Sequence, residues 1–498
     1  MSDLTQSRNR IAIGLLAMVL VAFSVFMLER ERAGLEISPF NVGTTPVTLY
    51  QQPGQTGPVV VVAHGFAGSR QIMQAYSLQL AQAGYRVLAF DFEGHGRNPV
   101  PMSGDVNSVG GTTALLVAET RRVVEAARAL PGGGRVALLG HSMATDVIMR
   151  AAAGEAASGT PVDAVVAISM FSQAVSADTP KRLLVISGQW ESFLRKAALD
   201  AVHLVDPAAT EGQLAKSGDV TRLAVVAPAV EHVGVLFSPT AVNAAQDWLD
   251  ETFSQKSNVR AGHRGWWILA LLAGIVMGLY PIIGLLPEGM PTAEISIGRF
   301  LLATTLPAGA TPLLITPFYT NFLPVLVADY LMLHLALFGL LQLAIVGSWR
   351  NLQGAFPGLA TALLVFWGII VFGLALDRYA ASFWPTPQRL PIIAVLCLGT
   401  IPFMLGDSFV TQAGCGALWR RITARLLLFG SLGVAAMLDP EQLTFVLIVM
   451  PVFVLFFLVH GLMGRWIAQR AGAVAAGLGL GLCLAWALGV SFPLFAHS

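Results

Sequence analysis

The second half of this chain is a succession of apolar stretches that ordinary soluble domains do not contain. Trp266–Leu286, Val325–Val346, Leu359–Leu376, Pro391–Leu405, Leu426–Leu438, Leu443–Leu462 and Ala473–Leu494 carry almost no charge. A bilayer core takes helices of roughly 20 apolar residues, so these stretches read as membrane spans, with Trp266 and Trp267 as interfacial anchors. Phe300–Phe318 is equally apolar but contains Pro307, Pro312, Pro317 and four threonines, which suggests a broken or re-entrant segment. Only 12% of the 498 residues are charged and 55% are apolar, and the charge is concentrated in residues 33 to 260.

The amino terminus adds another apolar stretch, Ile11–Leu28, preceded by Arg8 and Arg10 and followed by Glu29-Arg30-Glu31-Arg32. With no small-residue cleavage site, it reads as an uncleaved signal anchor. The expected organisation is a signal-anchor helix over 1–32, a folded domain over 39–255, a linker over 256–265 and a polytopic region over 266–498. Asp329, His334 and His460 are ionisable groups inside spans, where charge is expensive. Asp329 and His334 are five residues apart and so do not share one helical face. Gly477-Leu478-Gly479-Leu480-Gly481 reads as a helix-packing face. There is no carboxylate relay and no inverted repeat, so the helices read as scaffold rather than pump.

The charged domain has a different pattern. Val59–Ala63, Arg86–Phe90, Val136–Leu139, Ala164–Ile168, Leu183–Ile186 and Leu223–Val226 are short continuous apolar runs. Helical spacing separates them at 71–83, 112–130 and 241–252. Buried strands alternating with helices imply a mainly parallel sheet covered on both faces. The third run leads into Gly140-His141-Ser142-Met143-Ala144 and then a helix start. A serine on so sharp a strand-to-helix turn is lifted clear of the backbone, provided its neighbours at two before and two after are small. Gly140 and Ala144 meet that need.

Four features, in this order, carry a resemblance: the His64-Gly65 turn, Asp91-x-x-Gly94-His95-Gly96, Gly140-x-Ser142-x-Ala144 and a late histidine. Residues 45 to 255 resemble the α/β-hydrolase fold, nearest its dienelactone-hydrolase and serine-aminopeptidase-like branch. The resemblance implies a doubly wound sheet with ligands beyond the carboxyl ends of its strands and a triad in the order serine, acid, histidine. Ser142 is then the nucleophile, His232 after the last strand is the base, and Glu191 after Ser187-Gly188-Gln189-Trp190 is the acid. Asp178 is the alternative acid, and Glu231 points away from the site if His232 faces the serine. The backbone N–H groups of Met143 and Phe66 would form the oxyanion hole. His64, His95 and His141 are expected to be structural. About a dozen residues separate Ile168 from Leu183, which leaves no room for a helical lid.

The expected activity is a membrane-integral serine hydrolase cleaving an ester, thioester or amide through an acyl-enzyme. An acyltransferase with the same triad, or a non-catalytic binding module on a transporter-like membrane domain, are the alternatives. No metal or organic cofactor is implied, since Cys397, Cys415 and Cys483 fit no ligand spacing. A net charge of +1 without a basic patch excludes nucleic acid as a partner. The expected partners are a small-molecule or lipidic acyl substrate and the lipid bilayer. Basic residues belong on the cytoplasmic side, here Arg350, Arg420-Arg421-Arg425, Arg465 and Arg470. If Phe300–Phe318 spans, the count is nine and the hydrolase lies outside the cytoplasm, at a bacterial inner membrane. If it does not, the count is eight and the hydrolase is cytoplasmic.

Overall fold

In the computed structural model residues 2–105, 108–289, 293–347 and 357–496 are described, 2–7 by backbone alone. Arg350 lies outside the described residues. The chain divides into two compact units. One comprises Phe23–Ala270, Asp377–Ser382 and Pro493–Ser498, and the other Met1–Ala22, Leu271–Leu376 and Phe383–Phe492.

The first unit is built on a nine-stranded sheet. After helix α1 (Ser2–Arg30) come β1 (Glu36–Val42), β2 (Thr45–Gln51), β3 (Val59–Ala63), α2 (Gln74–Gln82), β4 (Arg86–Phe90), α3 (Ala114–Ala129) and β5 (Val136–His141). There follow α4 (Met143–Ala157), β6 (Ala164–Ile168), β7 (Arg182–Gly188), α5 (Ser192–His203), β8 (Ala215–Ser217), β9 (Val220–Ala227) and α6 (Pro239–Phe253). The strand order is β1-β2-β4-β3-β5-β6-β7-β9-β8. Pairings β3–β4, β3–β5, β5–β6, β6–β7 and β7–β9 are parallel. The sheet is mixed at its edges, where β1–β2, β2–β4 and β8–β9 are antiparallel.

The central strands β3, β4, β5 and β6 are buried at every position, as the continuous Val, Ile, Leu and Ala runs require of strands covered on both faces. Val60, Val62, Leu139, Val166, Ile168, Leu184 and Ile186 form one core with Tyr76 and Leu80 of α2 and Trp248 and Leu249 of α6. The alternate side chains project the other way, where α3 and α4 pack on β3, β5 and β6. Each fully buried aliphatic side chain contributes roughly 1.5–3 kcal/mol. Such a layered core holds the ends of β3, β5, β6, β7 and β9 rigidly enough to carry a site on their loops.

β1 and β2 were not legible as a hairpin. β1 is exposed along almost its whole length, so it shows no alternation. Its turn is the two residues between Val42 and Thr45, and Gly43 supplies the positive φ of 60° that such a tight hairpin needs.

Among the described residues nine helices are long and apolar enough to cross a membrane: Arg8–Arg30, Arg264–Ile283, Ile297–Phe318, Ala328–Val346, Gly358–Tyr379, Arg389–Val410, Leu418–Leu438, Val446–Ala471 and Ala473–Ser491. The doubtful stretch forms one α-helix, Ile297–Ile315, through both Pro307 and Pro312, with Thr316–Phe318 as a closing 3₁₀ turn. Intramembrane helices tolerate proline because neighbouring groups take up the freed backbone. Ionisable groups in and beside these apolar helices are held by protein partners. Asp329 accepts from the Tyr319 hydroxyl at 2.6 Å and from the N–H groups of Phe322 and Leu323 at 2.7 and 3.1 Å. His334 lies 3.1 Å from Ser431 Oγ, and His460 Nε2 lies 3.2 Å from the Gly368 carbonyl.

Candidate active site

β5 ends at His141 and α4 begins at Met143, so Ser142 alone makes the turn between them. Its φ of 54° and ψ of −120° lie outside the regions that L residues ordinarily occupy. Strain of this kind costs roughly 1–3 kcal/mol and is held by surrounding bonds. The Ser142 N–H donates to the Ile168 carbonyl at 2.9 Å, and the Ser142 carbonyl accepts from the N–H and hydroxyl of Thr145 at 2.8 and 2.6 Å. A Cβ built on Gly140 would come within 2.9 Å of Ile148 Cδ1 and 3.2 Å of the Ala144 Cβ. Alanine at 144 therefore fits because glycine stands opposite.

His232 arrives on the loop after β9. The Ser142 hydroxyl donates to His232 Nε2 at 2.9 Å, and His232 Nδ1–H donates to Glu191 Oε1 at 2.6 Å. The other carboxylate oxygen, Oε2, accepts from the Gly188 N–H at 2.6 Å and the Ser169 hydroxyl at 2.8 Å. Burial pushes the Glu191 carboxyl up, but the hydrogen bonds from His232, Gly188 and Ser169 together outweigh it and leave it below the usual carboxylate range. The carboxylate acceptor fixes the imidazole tautomer with its proton on Nδ1, leaving Nε2 to take a proton from Ser142.

Asp178 is exposed, and its charge acts on Arg222 rather than on the imidazole. Glu231 is spent on its own turn, accepting from the N–H groups of Val233 and Gly234 at 2.6 and 2.8 Å.

The loops bearing Glu191 and His232 are laced together. The N–H groups of Gln189 and Trp190 donate to the carbonyls of Ala227 and Val230 at 2.9 and 3.2 Å, and the Ala229 N–H donates to Gln189 Oε1 at 2.8 Å. A Cβ on Gly188 would lie 2.6 Å from the Val230 carbonyl oxygen and 3.2 Å from Glu191 Oε2, so only glycine permits this approach. His141 secures the base loop from below by donating its Nε2–H to the His232 carbonyl at 2.9 Å. Burial, and next the neighbouring His232, push the His141 imidazole down to about 4, so it stays neutral. Ser169 was not singled out in the sequence, and Gly188 only as part of the turn before Glu191. Both donate to Glu191 from strand ends, and nothing in its local sequence marks Ser169.

Against the elbow lies the loop from His64 to Ser69. A Cβ on Gly65 would lie 3.0 Å from the Ser142 Cβ, so this loop is pressed against the elbow and brings Phe66 beside it. Met143 is the first residue of α4, and the first N–H groups of a helix have no partner within it. His64 is locked rather than catalytic: its Nδ1–H donates to the Gly65 carbonyl at 2.8 Å while Nε2 accepts from the Phe92 N–H at 3.1 Å. Burial pushes it down to about 4. Behind this loop stands the turn from Asp91 to Met102. Buried Asp91 accepts from the Arg70 N–H at 2.7 Å, from the Arg70 guanidinium and from the Arg97 N–H at 3.0 Å. Buried Glu119 accepts from Thr45, Glu93 and Asn98, and burial pushes it up to about 7. The His95 ring meets Phe66 edge-on, centroids 5.7 Å apart.

Large apolar side chains stand close in the chain to Ser169, Glu191 and His232. Trp190 and Phe193 are 68% and 67% exposed, Phe171 58% and Val233 48%. The Phe171 and Phe193 rings lie 6.2 Å apart. Among the described residues no three His, Cys, Asp or Glu side chains gather as a metal site.

Residues 58–250 match a protein-family model described as the alpha/beta hydrolase fold. Among solved structures, TT1662 from Thermus thermophilus is 19% identical over 45% of this chain and 99% of its own, with a TM-score of 0.32. A dienelactone hydrolase from Anabaena variabilis is 20% identical over 44% and 96%, with a TM-score of 0.32. A hormone-sensitive lipase from a metagenome library is 14% identical over 50% and 93%, with a TM-score of 0.34. Residues 58–250 are thus an α/β-hydrolase fold, followed in the same chain by a helical region rich in long apolar helices.

Proposed function

We propose that this protein is a membrane-integral serine hydrolase that cleaves an acyl ester, thioester or amide. The observation that carries the reading is the continuous relay from Ser142 Oγ to His232 Nε2 at 2.9 Å and from His232 Nδ1 to Glu191 at 2.6 Å. His232 takes the serine proton as Ser142 Oγ attacks the carbonyl carbon. The tetrahedral oxyanion is stabilised by the N–H groups of Met143 and Phe66, each donor contributing about 3 kcal/mol. His232-H⁺, held by Glu191, protonates the leaving group, and an acyl-Ser142 ester remains. Water deprotonated by His232 then attacks that ester and restores the serine.

The exposed apolar side chains beside the triad support an apolar acyl portion. Phe171 and Phe193 lie ring to ring at 6.2 Å, and exposed apolar patches mark binding faces. The catalytic domain over 39–255 would be carried by the anchor over 1–32 and joined through 256–265 to the polytopic region over 266–498.

The parity of the spans supports a side of the membrane. Asp377–Ser382 and Pro493–Ser498 belong to the same compact unit as the hydrolase fold, which supports one face of the bilayer for all three. Counting crossings, that requires Ile297–Phe318 to span. Nine spans then put Arg420, Arg421, Arg465 and Arg470 on the opposite face. Basic loops face the cytoplasm, which supports a hydrolase outside it.

The test is labelling of detergent-purified full-length protein with a fluorophosphonate. Labelling of the wild type that disappears in Ser142→Ala supports the enzyme. Absence of labelling in both supports a non-catalytic module. Product analysis with a lipid alcohol present separates hydrolysis from acyl transfer.

A further inference from the structure

Two short segments from the far end of the chain are built into the wall behind the oxyanion loop. Leu494 donates its N–H to the Gly94 carbonyl at 2.8 Å and accepts the Met102 N–H at 2.8 Å, while the Ala496 N–H donates to the Met102 carbonyl at 2.7 Å. Met102 and Phe495 form a parallel bridge. The fit is close: a Cβ on Gly94 would lie 2.5 Å from the Leu494 oxygen. Leu494 and Phe495 are buried, as is Met102. The second segment approaches from another direction. The Ser382 N–H donates to Ser69 Oγ at 3.1 Å, Asp377 pairs with Arg97 at 2.5 Å, and the Arg378 carbonyl accepts from Gln74 Nε2 at 3.0 Å.

These contacts converge on one place. Ser69 is the last residue of the His64–Ser69 loop, and Arg70 after it is tied to Asp91. Gly94 precedes His95, whose ring rests on Phe66 and lies 5.2 Å from His64. Arg97 N–H holds the same Asp91 carboxylate. Phe66 itself follows Gly65, which touches the nucleophile elbow.

We infer that residues 377–382 and 493–496 are positioning elements of the oxyanion hole, setting where the Phe66 N–H points relative to Ser142. The inference rests on the hydrolase reading for its catalytic consequence, though not for its structural one. Neither segment touches Glu191 or His232 among the contacts described, so their loss acts on transition-state stabilisation and leaves the proton relay intact. A donor displaced by about an ångström loses most of its effect, because oxyanion bonds are strongly distance-dependent.

The experiment uses full-length protein in detergent or nanodiscs. Leu494→Pro removes the N–H that Gly94 accepts and keeps an apolar residue, and Leu494→Met keeps both backbone groups and similar volume. The rate of Ser142 labelling by a fluorophosphonate and hydrogen exchange at amides 64–70 are both measured. L494P is expected to slow labelling by about tenfold or more with the pH midpoint of labelling unchanged, and to speed exchange across 64–70. L494M is expected to restore both. If L494P does not fold, Ser69→Ala, which removes the acceptor for the Ser382 N–H, is expected to slow labelling about threefold or more. Labelling and exchange in the folded variant that match the wild type overturn the inference. A wild type that is never labelled overturns the hydrolase reading instead, and the positioning claim is then decided by exchange alone.

Discussion

Glu191 is the residue at which a one-atom change separates the proposed chemistry from its alternatives. The carboxylate serves three donors: His232 Nδ1–H, the Gly188 N–H and the Ser169 hydroxyl. Glutamine offers one oxygen and one NH₂. The Gly188 N–H cannot change sign, and at 2.6 Å an NH₂ placed against it would repel it. The amide oxygen therefore turns to Gly188 and Ser169, and the NH₂ faces His232. The imidazole must then accept at Nδ1 and carry its proton on Nε2, where it can no longer take the proton of Ser142. A wrong tautomer of this kind costs about 10⁴ in kcat, roughly 5 kcal/mol of barrier. Asp178→Asn alters an exposed side chain remote from the imidazole and should leave kcat within about twofold. Hydrolysis of a p-nitrophenyl ester by purified full-length variants, with thermal melts to establish folding, reads both. Glu191→Gln retaining more than about a tenth of wild-type kcat, or Asp178→Asn losing more than Glu191→Gln, would falsify the assignment of the acid.

Gly188→Ala should lower kcat about 100-fold, because its Cβ meets the Val230 carbonyl at 2.6 Å and prises the acid loop from the base loop; steady-state kinetics on folded protein check this. Ser142→Gly should abolish labelling yet raise stability by about 0.5–1 kcal/mol, since glycine adopts a φ of 54° without strain; denaturant melts against Ser142→Ala decide it. Stability should also fall on acidification from about pH 6.5 to 4. His64 and His141 are held neutral down to about 4, so over that window the unfolded chain binds their protons first, at roughly 3 kcal/mol each. Glu119, pushed up to about 7, works oppositely by losing stability as pH rises from 4.5 to 7, but it is one group against two. Melting temperatures that stay flat or rise on acidification would contradict this. Combining Trp190→Ala with Phe193→Ala should lower kcat/KM for a decanoyl ester about tenfold while an acetyl ester stays within about twofold, given about 0.8 kcal/mol per buried methylene; equal losses on both esters would remove the apolar face from the substrate reading.

The parts of this molecule that were legible in its sequence are those with a local signature. Val59–Ala63 and Val136–Leu139 announced buried parallel strands by being apolar throughout, and small residues two either side of Ser142 announced the elbow. The placement of Glu191 and His232 after apolar runs brought them to the same end of the sheet, where the structure has them in contact. β1 and β8 stayed hidden because an exposed or three-residue edge strand has no pattern to detect. Helix Ile297–Ile315 was doubtful because proline penalties measured in water do not carry over to apolar surroundings. Ser169 and Leu494 were invisible for a deeper reason. Each matters through a partner far away in the chain, and such pairings leave no periodicity.

The bridge between Met102 and Phe495 also orders events during biosynthesis. Translation runs from the amino terminus, and domains fold as they emerge. Ser142, Glu191 and His232 leave the ribosome well before the residues that complete the neighbouring wall. A nascent chain can therefore form its sheet early, but it gains the Phe495 bridge only after the nine apolar helices of the described residues have been synthesised. Completion of this unit in this way waits on segments made long after its sheet.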